Sequence, residues 1–407
     1  EGQSMFWTLA GPRYHSGSMS DFETDHSCHV TPGGHDAAAP PPQRDGFDRA
    51  AIDTGHIECV QILNEHGEVD QGLMPDLENE ELLDLHRAMV LSRAFDARML
   101  AMQRQGQMGT FAPNIGQEAC MIGQAWPLGG QDWFSPSYRG FGAQIRRGWP
   151  MDRLMMLWAG YADGFPPPDG VNDLPFSIVI GSHVLPATGI GMAMRRANDP
   201  HCVLVNFGDG AFSQGAVTEA LNFAAVDRAP VVFVCENNGW AISTPLIKQT
   251  AQPVLAMRGL ALGIPSVRVD GNDILAMLTV TKEACDRARS GGGPTLIEAV
   301  TFRMSLHTTA DDTTVYRDEA LVEPWKARCP IRRFETWLIK SGRLLDAETT
   351  RIREECEQEV LDARERFRAE AKAHPREIFD HIFVSLSPEL EEQRMQYIRR
   401  LDRKGVE

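Results

Sequence analysis

The sequence predicts an α/β protein: a parallel sheet flanked by helices, with a helical region appended at the C-terminus. Two observations carry that expectation. Between 176 and 330, short apolar runs alternate with stretches of helical periodicity, the order that builds strand–helix–strand units. The runs are apolar at nearly every position rather than every second one, as in strands covered on both faces.

Taken in order, residues 1–75 read as an N-terminal arm, partly disordered. Up to about residue 50 they are rich in Gly, Ser, His and Pro, including AAAPPPQ at 37–43, a composition too poor in apolar groups to build a core. Asp25-His26-Ser27-Cys28-His29 has metal-binding residue types, but ligands crowded on such a tail read as incidental. From Asn79 onward, Leu82, Leu83, Met89, Val90, Met99 and Leu100 recur at turn spacing until Gly106 and Gly109, which predicts an amphipathic helix. Strands are expected at FSIVI (176–180), CVLVNF (202–207), VVFVC (231–235), SVRVD (266–270) and TLIEAV (295–300). Between the second and third, Ala216, Val217, Ala220, Leu221 and Ala224 share a helical face and predict the crossover helix. Residues 303–318 are polar and loop-like. The α/β domain is bounded at 76–330, and 331–407 forms the C-terminal helical region, including the charged amphipathic run at 346–373.

Bulk composition narrows the function. The 407 residues carry a formal net charge of −16, which disfavours nonspecific attraction to nucleic acid or anionic membranes. No apolar run approaches the ~20 residues needed to span a bilayer. The eight cysteines are scattered without a C-x-x-C, and two fall in expected buried strands. That usage suggests reduced thiols and a cytoplasmic or mitochondrial-matrix-like compartment, the cytoplasm favoured. The opening Glu1-Gly2-Gln3-Ser4 is not a Met start and shows no cationic-then-apolar leader pattern.

The chemistry gathers where two runs end. Gly208-Asp209-Gly210 follows one expected strand, and Asn237-Asn238 follows the next. In an open parallel sheet, ligands bind beyond the carboxyl ends of the strands. A carboxylate and an amide oxygen converging there are hard ligands suited to Mg²⁺ or Ca²⁺. Gly208 and Gly210 let backbone approach a ligand closely, and the following helix start favours an anion. The set therefore asks for a metal-bridged phosphate or diphosphate. A dinucleotide fold fits poorly, because Ser213 stands where G-x-G-x-x-G needs its third glycine. A Mg²⁺ phosphatase of the haloacid-dehalogenase kind lacks its Asp-x-Asp pair. A plain tight turn would explain G-D-G alone, but not Asn238, 29 positions on after a second buried strand.

G-D-G followed about thirty residues later by N-N resembles the thiamine-diphosphate motif. FAPNIGQEAC (111–120), PSYRGFG (136–142), GVNDLPFSIVIGSH (170–183), NNGWAIST (237–244), VDGND (269–273), GPTLIEAVTFR (293–303) and HTTADDTTVYR (307–317) widen the similarity. Together they resemble the alpha subunit of the two-subunit 2-oxo acid dehydrogenases, the first components of the pyruvate and branched-chain complexes. The likeness runs from about residue 76 to the C-terminus.

That resemblance implies a diphosphate-binding half of the thiamine-diphosphate fold. It implies Mg²⁺ on the Asp209 and Asn238 side chains and the Trp240 carbonyl. It implies diphosphate on Tyr138, Arg139, the Gly210-Ala211 backbone and His307, for which a guanidinium fork is apt. Ile178 and Ile180 fall where the family lines its thiamine-ring pocket, although either alone reads equally as strand core. His307 corresponds to the mobile-loop histidine with a proton-donor role as the acyl group passes to the lipoyl arm. Ser305-Leu306 before it depart from the family's Gly-Pro or Gly-His. Pro113 stands where many pyruvate-specific members carry histidine, and Thr308 where mitochondrial relatives carry a regulatory phosphoserine.

No second α/β domain is legible, so a separate beta subunit is expected to supply the catalytic glutamate of an α₂β₂ heterotetramer. The implied reaction is thiamine-dependent oxidative decarboxylation of a 2-oxo acid with reductive acylation of a lipoyl group on a dihydrolipoyl acyltransferase core. Pyruvate is favoured, branched-chain 2-oxo acids such as 3-methyl-2-oxobutanoate come second and acetoin third. A non-catalytic thiamine-diphosphate-binding subunit is the alternative from another class.

Overall fold

A computed structural model describes residues 56–371, 375–380 and 382–405. The Asp25–His29 run, AAAPPPQ and most of the expected arm lie outside the described residues.

Nine strands are described: β1 (Glu58–Val60), β2 (Trp133–Ser135), β3 (Asn172–Asp173), β4 (Val203–Gly208), β5 (Val231–Asn237), β6 (Trp240–Ala241), β7 (Thr244–Pro245), β8 (Ser266–Asp270) and β9 (Thr295–Val300). Seven form one sheet in the order β1-β8-β9-β5-β4-β2-β3, every neighbouring pair parallel. β6 and β7 make a separate antiparallel hairpin. The helices are α1 (Asn79–Arg104), α2 (Glu118–Ala125), α3 (Phe141–Arg146), α4 (Met151–Ala159), α5 (Val184–Ala197), α6 (Gly215–Asp227), α7 (Leu246–Gln249), α8 (Met257–Leu260), α9 (Ile274–Arg289), α10 (Glu323–Ala327), α11 (Pro330–Lys340), α12 (Asp346–Glu370) and α13 (Pro388–Lys404).

The near-continuous apolarity of the central strands has the expected cause. Val203, Val205, Phe207, Val231, Phe233 and Cys235 pack on one face beneath α5 and α6. Leu204, Val232, Val234, Ile297 and Ala299 point the other way, into a core shared with α1, α2 and α9. Successive residues thus serve opposite faces. α6 buries Val217, Ala220, Leu221 and Ala224, as its spacing predicts. In α1, Leu82, Met89, Val90 and Met99 are buried, the Glu78 amide donates to Glu81 at 3.0 Å, and Gly106 follows the helix at φ +71°.

Two features differ from the sequence reading. FSIVI is not a strand: 176–180 makes one isolated bridge, Ser137 to Ser177, then turns. The Val179 amide donates to Ser177 Oγ at 3.2 Å, and the Ser182 amide to the Val179 carbonyl at 3.2 Å. The place beside β4 is taken by β2, a run of only three residues, Trp133-Phe134-Ser135. Second, the sheet begins inside the stretch assigned to the arm. Asp273 Oδ2 accepts the Ile62 and Leu63 amides at 2.6 and 2.7 Å while Oδ1 caps α9 through Leu275 and Ala276. One carboxylate therefore docks the segment after β1 onto the α9 N-terminus. The expected C-terminal helical region is present, and its α12 packs Ile352, Cys356, Val360, Ala363 and Phe367 into the main core.

Candidate functional site

The register of β4 on β5 sets the site. Gly208 pairs with Glu236, so Asp209 and Asn238 emerge side by side past two adjacent carboxyl ends. The two asparagines divide their work. Asn237 turns into the sheet, its Nδ2 donating to Glu298 Oε1 at 2.8 Å. Asn238 faces a cavity of about 200 Å³ that Asp209 also lines. Tyr138, Arg139, Ile180, Gly210, Ala211, Trp240 and His307 line the same cavity, whereas Ile178 does not and is 62% exposed. A 3₁₀ turn, Asp209–Ser213, separates β4 from α6, so Gly210-Ala211 lie on that turn and the helix begins only at Gly215.

Asp209 is 2% exposed. Its Oδ2 accepts Gln249 Nε2 at 2.8 Å, and burial raises its affinity for a proton against that bond and nearby backbone donors. Asn238 Oδ1 accepts the Trp240 amide at 3.2 Å, while its Nδ2 donates to Gln117 at 3.3 Å. Glu236 is buried on the same wall, its pKa pushed up to about 7 by burial despite amide donors from Gln124 and Asn206.

The opposite wall is cationic. Arg139 donates through Nη1 to the Pro113 carbonyl and through Nη2 to the His307 carbonyl at 3.1 Å. His307 Nδ1 faces Arg139 Nη2 at 3.3 Å and Arg303 Nη1 at 3.1 Å. Guanidinium groups only donate, so Nδ1 is the acceptor and the neutral ring carries its proton on Nε2. Burial first, then Arg139 and Arg303, push this pKa down to about 4, with Asp311 opposing. The Tyr138 ring stands edge-on to His307, centroids 6.2 Å apart.

The loop that carries His307 is well braced despite Ser305-Leu306. Asp311 Oδ2 accepts the His307 amide at 2.8 Å and the Tyr316 hydroxyl at 2.6 Å. Arg317 donates to the carbonyls of Arg303, Met304 and Ser305. Arg303 also donates to the Tyr316 hydroxyl and the Ile242 carbonyl, both at 2.7 Å. Ile242 sits at φ +56° in the β6–β7 turn, a strained place for a β-branched residue, and lines the cavity mouth.

Arg303, Gln249, Ile242, His183 and Glu236 were not singled out by the sequence reading. Arg303 had a usable signal, since it falls just beyond β9 as Asp209 falls just beyond β4. Glu236 lies within β5 itself, one residue before Asn237, and the other three have no motif and are brought in by the segments that follow strands or precede helices.

The residues fit a cation-bound anion. Among the described residues no group of three or more His, Cys, Asp or Glu is placed to hold a metal. A cation here would therefore rest on one carboxylate and neutral oxygens, the hard set that Mg²⁺ takes. A Cβ on Gly208 would meet nothing nearer than 4.0 Å, and one on Gly210 would come within 2.8 Å of Ala241 Cβ. Bare backbone is thus presented at the first position, and the second tolerates no side chain.

Fold and cavity together define a class: an α/β protein with a ligand-sized cavity at the carboxyl ends of adjacent parallel strands. Within that class, the chain belongs to the dehydrogenase E1 component family, whose model matches residues 86–376. Membership implies thiamine diphosphate as cofactor. The chain is 41% identical over 336 residues to the pyruvate dehydrogenase E1 component subunit alpha of Acholeplasma laidlawii, covering 82% of this chain and 97% of that one. It is 40% identical over 349 residues to the 3-methyl-2-oxobutanoate dehydrogenase subunit alpha of Mycobacterium tuberculosis, covering 84% and 93%. The pyruvate dehydrogenase E1 component subunit alpha of Bacillus subtilis is 37% identical over 335 residues, covering 82% and 90%.

Proposed function

We propose that this chain is the alpha subunit of a 2-oxo acid dehydrogenase first component acting on pyruvate. The observation that carries the reading is one cavity lined by Asp209, Gly210, Asn238 and Trp240 on one side and Tyr138, Arg139 and His307 on the other. Asp209, Asn238 and the Trp240 carbonyl would hold Mg²⁺. Tyr138, Arg139, the Gly210-Ala211 backbone and His307 would hold the diphosphate, with Ile180 toward the thiamine ring and Ile178 reaching it only in the assembled enzyme. Thiamine diphosphate supplies, when bound, the electron sink for decarboxylation. His307, neutral and protonated on Nε2, is this chain's proton donor as the acyl group passes to a lipoyl group.

The chain supplies both walls of the cavity but leaves its mouth open. Ile180 and Ile242 at the mouth are 41% and 57% exposed, and a water-excluding site needs them covered. We assign that cover, and the catalytic glutamate, to a beta subunit in an α₂β₂ heterotetramer that delivers acyl groups to a dihydrolipoyl acyltransferase core. The buried thiols of Cys120, Cys202, Cys235, Cys285 and Cys356 and bacterial relatives favour the cytoplasm, and no described helix is long and apolar enough to cross a membrane. A branched-chain substrate is the second reading, favoured by the mycobacterial relative. The test is kcat/KM of the co-expressed subunits on pyruvate against 3-methyl-2-oxobutanoate. Preference for pyruvate supports the assignment, the reverse moves it to the branched-chain enzyme, and turnover of neither removes it. Full-rate decarboxylation by this chain alone would remove the beta subunit from the account.

A further inference from the structure

Asn206 breaks the apolar run of β4 between Val205 and Phe207, and it is wholly buried. Such a residue is tolerable in a core only when its polar groups are satisfied. Its partners are informative. Oδ1 accepts the Ser137 amide at 2.6 Å, and Nδ2 donates to Glu236 Oε1 at 2.6 Å. Its carbonyl accepts His183 Nε2 at 2.8 Å. All three partners line the cavity. Ser137 leads directly into Tyr138-Arg139, and Glu236 stands two residues before Asn238 on β5.

We propose that Asn206 is a positioning residue that fixes the Ser137–Arg139 turn against the end of β5. It thereby sets the spacing between the anion-binding and cation-binding halves of the cavity. A single planar amide suits this place because one end must accept from a backbone N–H while the other donates to a carboxylate. Leucine offers neither, and aspartate would set a second acceptor against Glu236. Displacing the turn displaces Arg139, which is also tied to Pro113 and His307, and misplacing a binding group by about 1 Å can cost about a hundredfold.

The proposal rests on the thiamine-diphosphate reading above, and its test separates the two. Thiamine diphosphate affinity would be measured calorimetrically at saturating Mg²⁺ on the complex with the beta subunit. The four proteins are wild type, Asn206→Asp, Glu236→Gln and the double variant, with unliganded melting temperatures recorded alongside. Asn206→Asp should bind about ten- to a hundredfold more weakly, in the range seen when the partners of ligand-binding groups are removed. The double variant should recover most of that loss, because the Nε2 introduced where Glu236 Oε1 stands has two hydrogens, one for the carboxylate introduced at position 206 and one for the Gln124 side-chain oxygen once that amide turns over; such a cycle isolates the pairwise coupling. Undiminished affinity in Asn206→Asp, or a double variant no better than it, overturns the proposal. Lowered melting temperatures with unchanged affinity overturn it equally, since that is the mark of a purely structural role. A wild-type complex with no affinity removes the thiamine-diphosphate reading, and this proposal with it.

Discussion

Replacing Arg139 by methionine should return the His307 imidazole part of the way to its ordinary basicity. The ring sits at about 4 against a usual 6.5, a depression of about 2.5 pH units. Burial is the largest cause, Arg139 the second and Arg303 the third, with Asp311 pulling the other way. Arg139 therefore accounts for less than half of the downward push, and its removal leaves Arg303 Nη1 still 3.1 Å from Nδ1. Coulomb's law brackets the size: charges about 4 Å apart interact by roughly 1 kcal/mol in water and roughly 4 kcal/mol at an effective dielectric of about 20. A half-buried site falls between these, nearer the lower value, so Arg139→Met should raise His307 by about one pH unit, to about 5. The assay is an NMR titration of the imidazole signals, assigned by their loss in His307→Gln. The sign has a second consequence. A histidine depressed in the folded state binds fewer protons there than when unfolded, so it costs stability as pH falls from 6.5 toward 4, and Arg139→Met should narrow that window. A titration that moves by less than about 0.3 units, or downward, would refute the assignment of Arg139 as a positive charge acting on this ring.

Three further outcomes follow from the same geometry. Asp209→Asn keeps the shape and an acceptor for Gln249 but removes the only charged oxygen proposed for the cation. Mg²⁺-dependent thiamine diphosphate binding should weaken by about a hundredfold or more, and unchanged calorimetric affinity would retire the metal assignment. Gly210→Ala would set a methyl group 2.8 Å from Ala241 Cβ; overpacking of that kind costs about 1–3 kcal/mol, and Gly210→Ala with Ala241→Gly should regain most of it in urea denaturation. Asp273→Ala strands four backbone amides, two of them at the α9 N-terminus. At about 1 kcal/mol for a lost cap and about 1–3 kcal/mol for each of the two buried orphans, a loss of about 3–7 kcal/mol is expected, with faster hydrogen exchange at 58–63; a loss below about 1 kcal/mol would contradict this.

Much of the site could be read from the sequence because its principal parts hang on strand ends. Asp209 and Asn238 each follow a long apolar run, and the position past such a run is where a parallel sheet presents ligands. Asn206, Gln249 and His183 were not readable in that way. Each matters through a partner far away in sequence or across a loop, which nothing local names, although Asn206 does interrupt its apolar run. The strand expected at 176–180 failed for a related reason. A short apolar run does not distinguish a buried strand from a cavity wall, and the choice was made by β2, which pairs with β4 from a segment of ordinary composition. β1 is a similar case: Glu58–Val60 has little strand character of its own, and Asp273, more than two hundred residues later, anchors the segment that follows it.

The protonation pattern ties the two walls together. On the strand-end wall, Asp209 and Glu236 are buried carboxylates pushed toward their neutral forms, so that wall lacks positive charge. On the loop wall, His307 is pushed down to about 4 and Arg303 to about 10, so that wall lacks negative charge, with the partly exposed Asp311 as its local counter-charge. The two deficits cancel only in part: Arg303 acts on Asp209 and Arg139 on Glu236, but burial outweighs both. A cation against the first and a polyanion against the second, themselves in contact, would satisfy both at once, whereas either alone would leave one wall unrelieved. Binding of Mg²⁺ and of a diphosphate should therefore be mutually dependent, and by linkage each must strengthen the other by the same factor. Asn206, which joins the turn of one wall to the strand of the other, lies on a short bonded route between them.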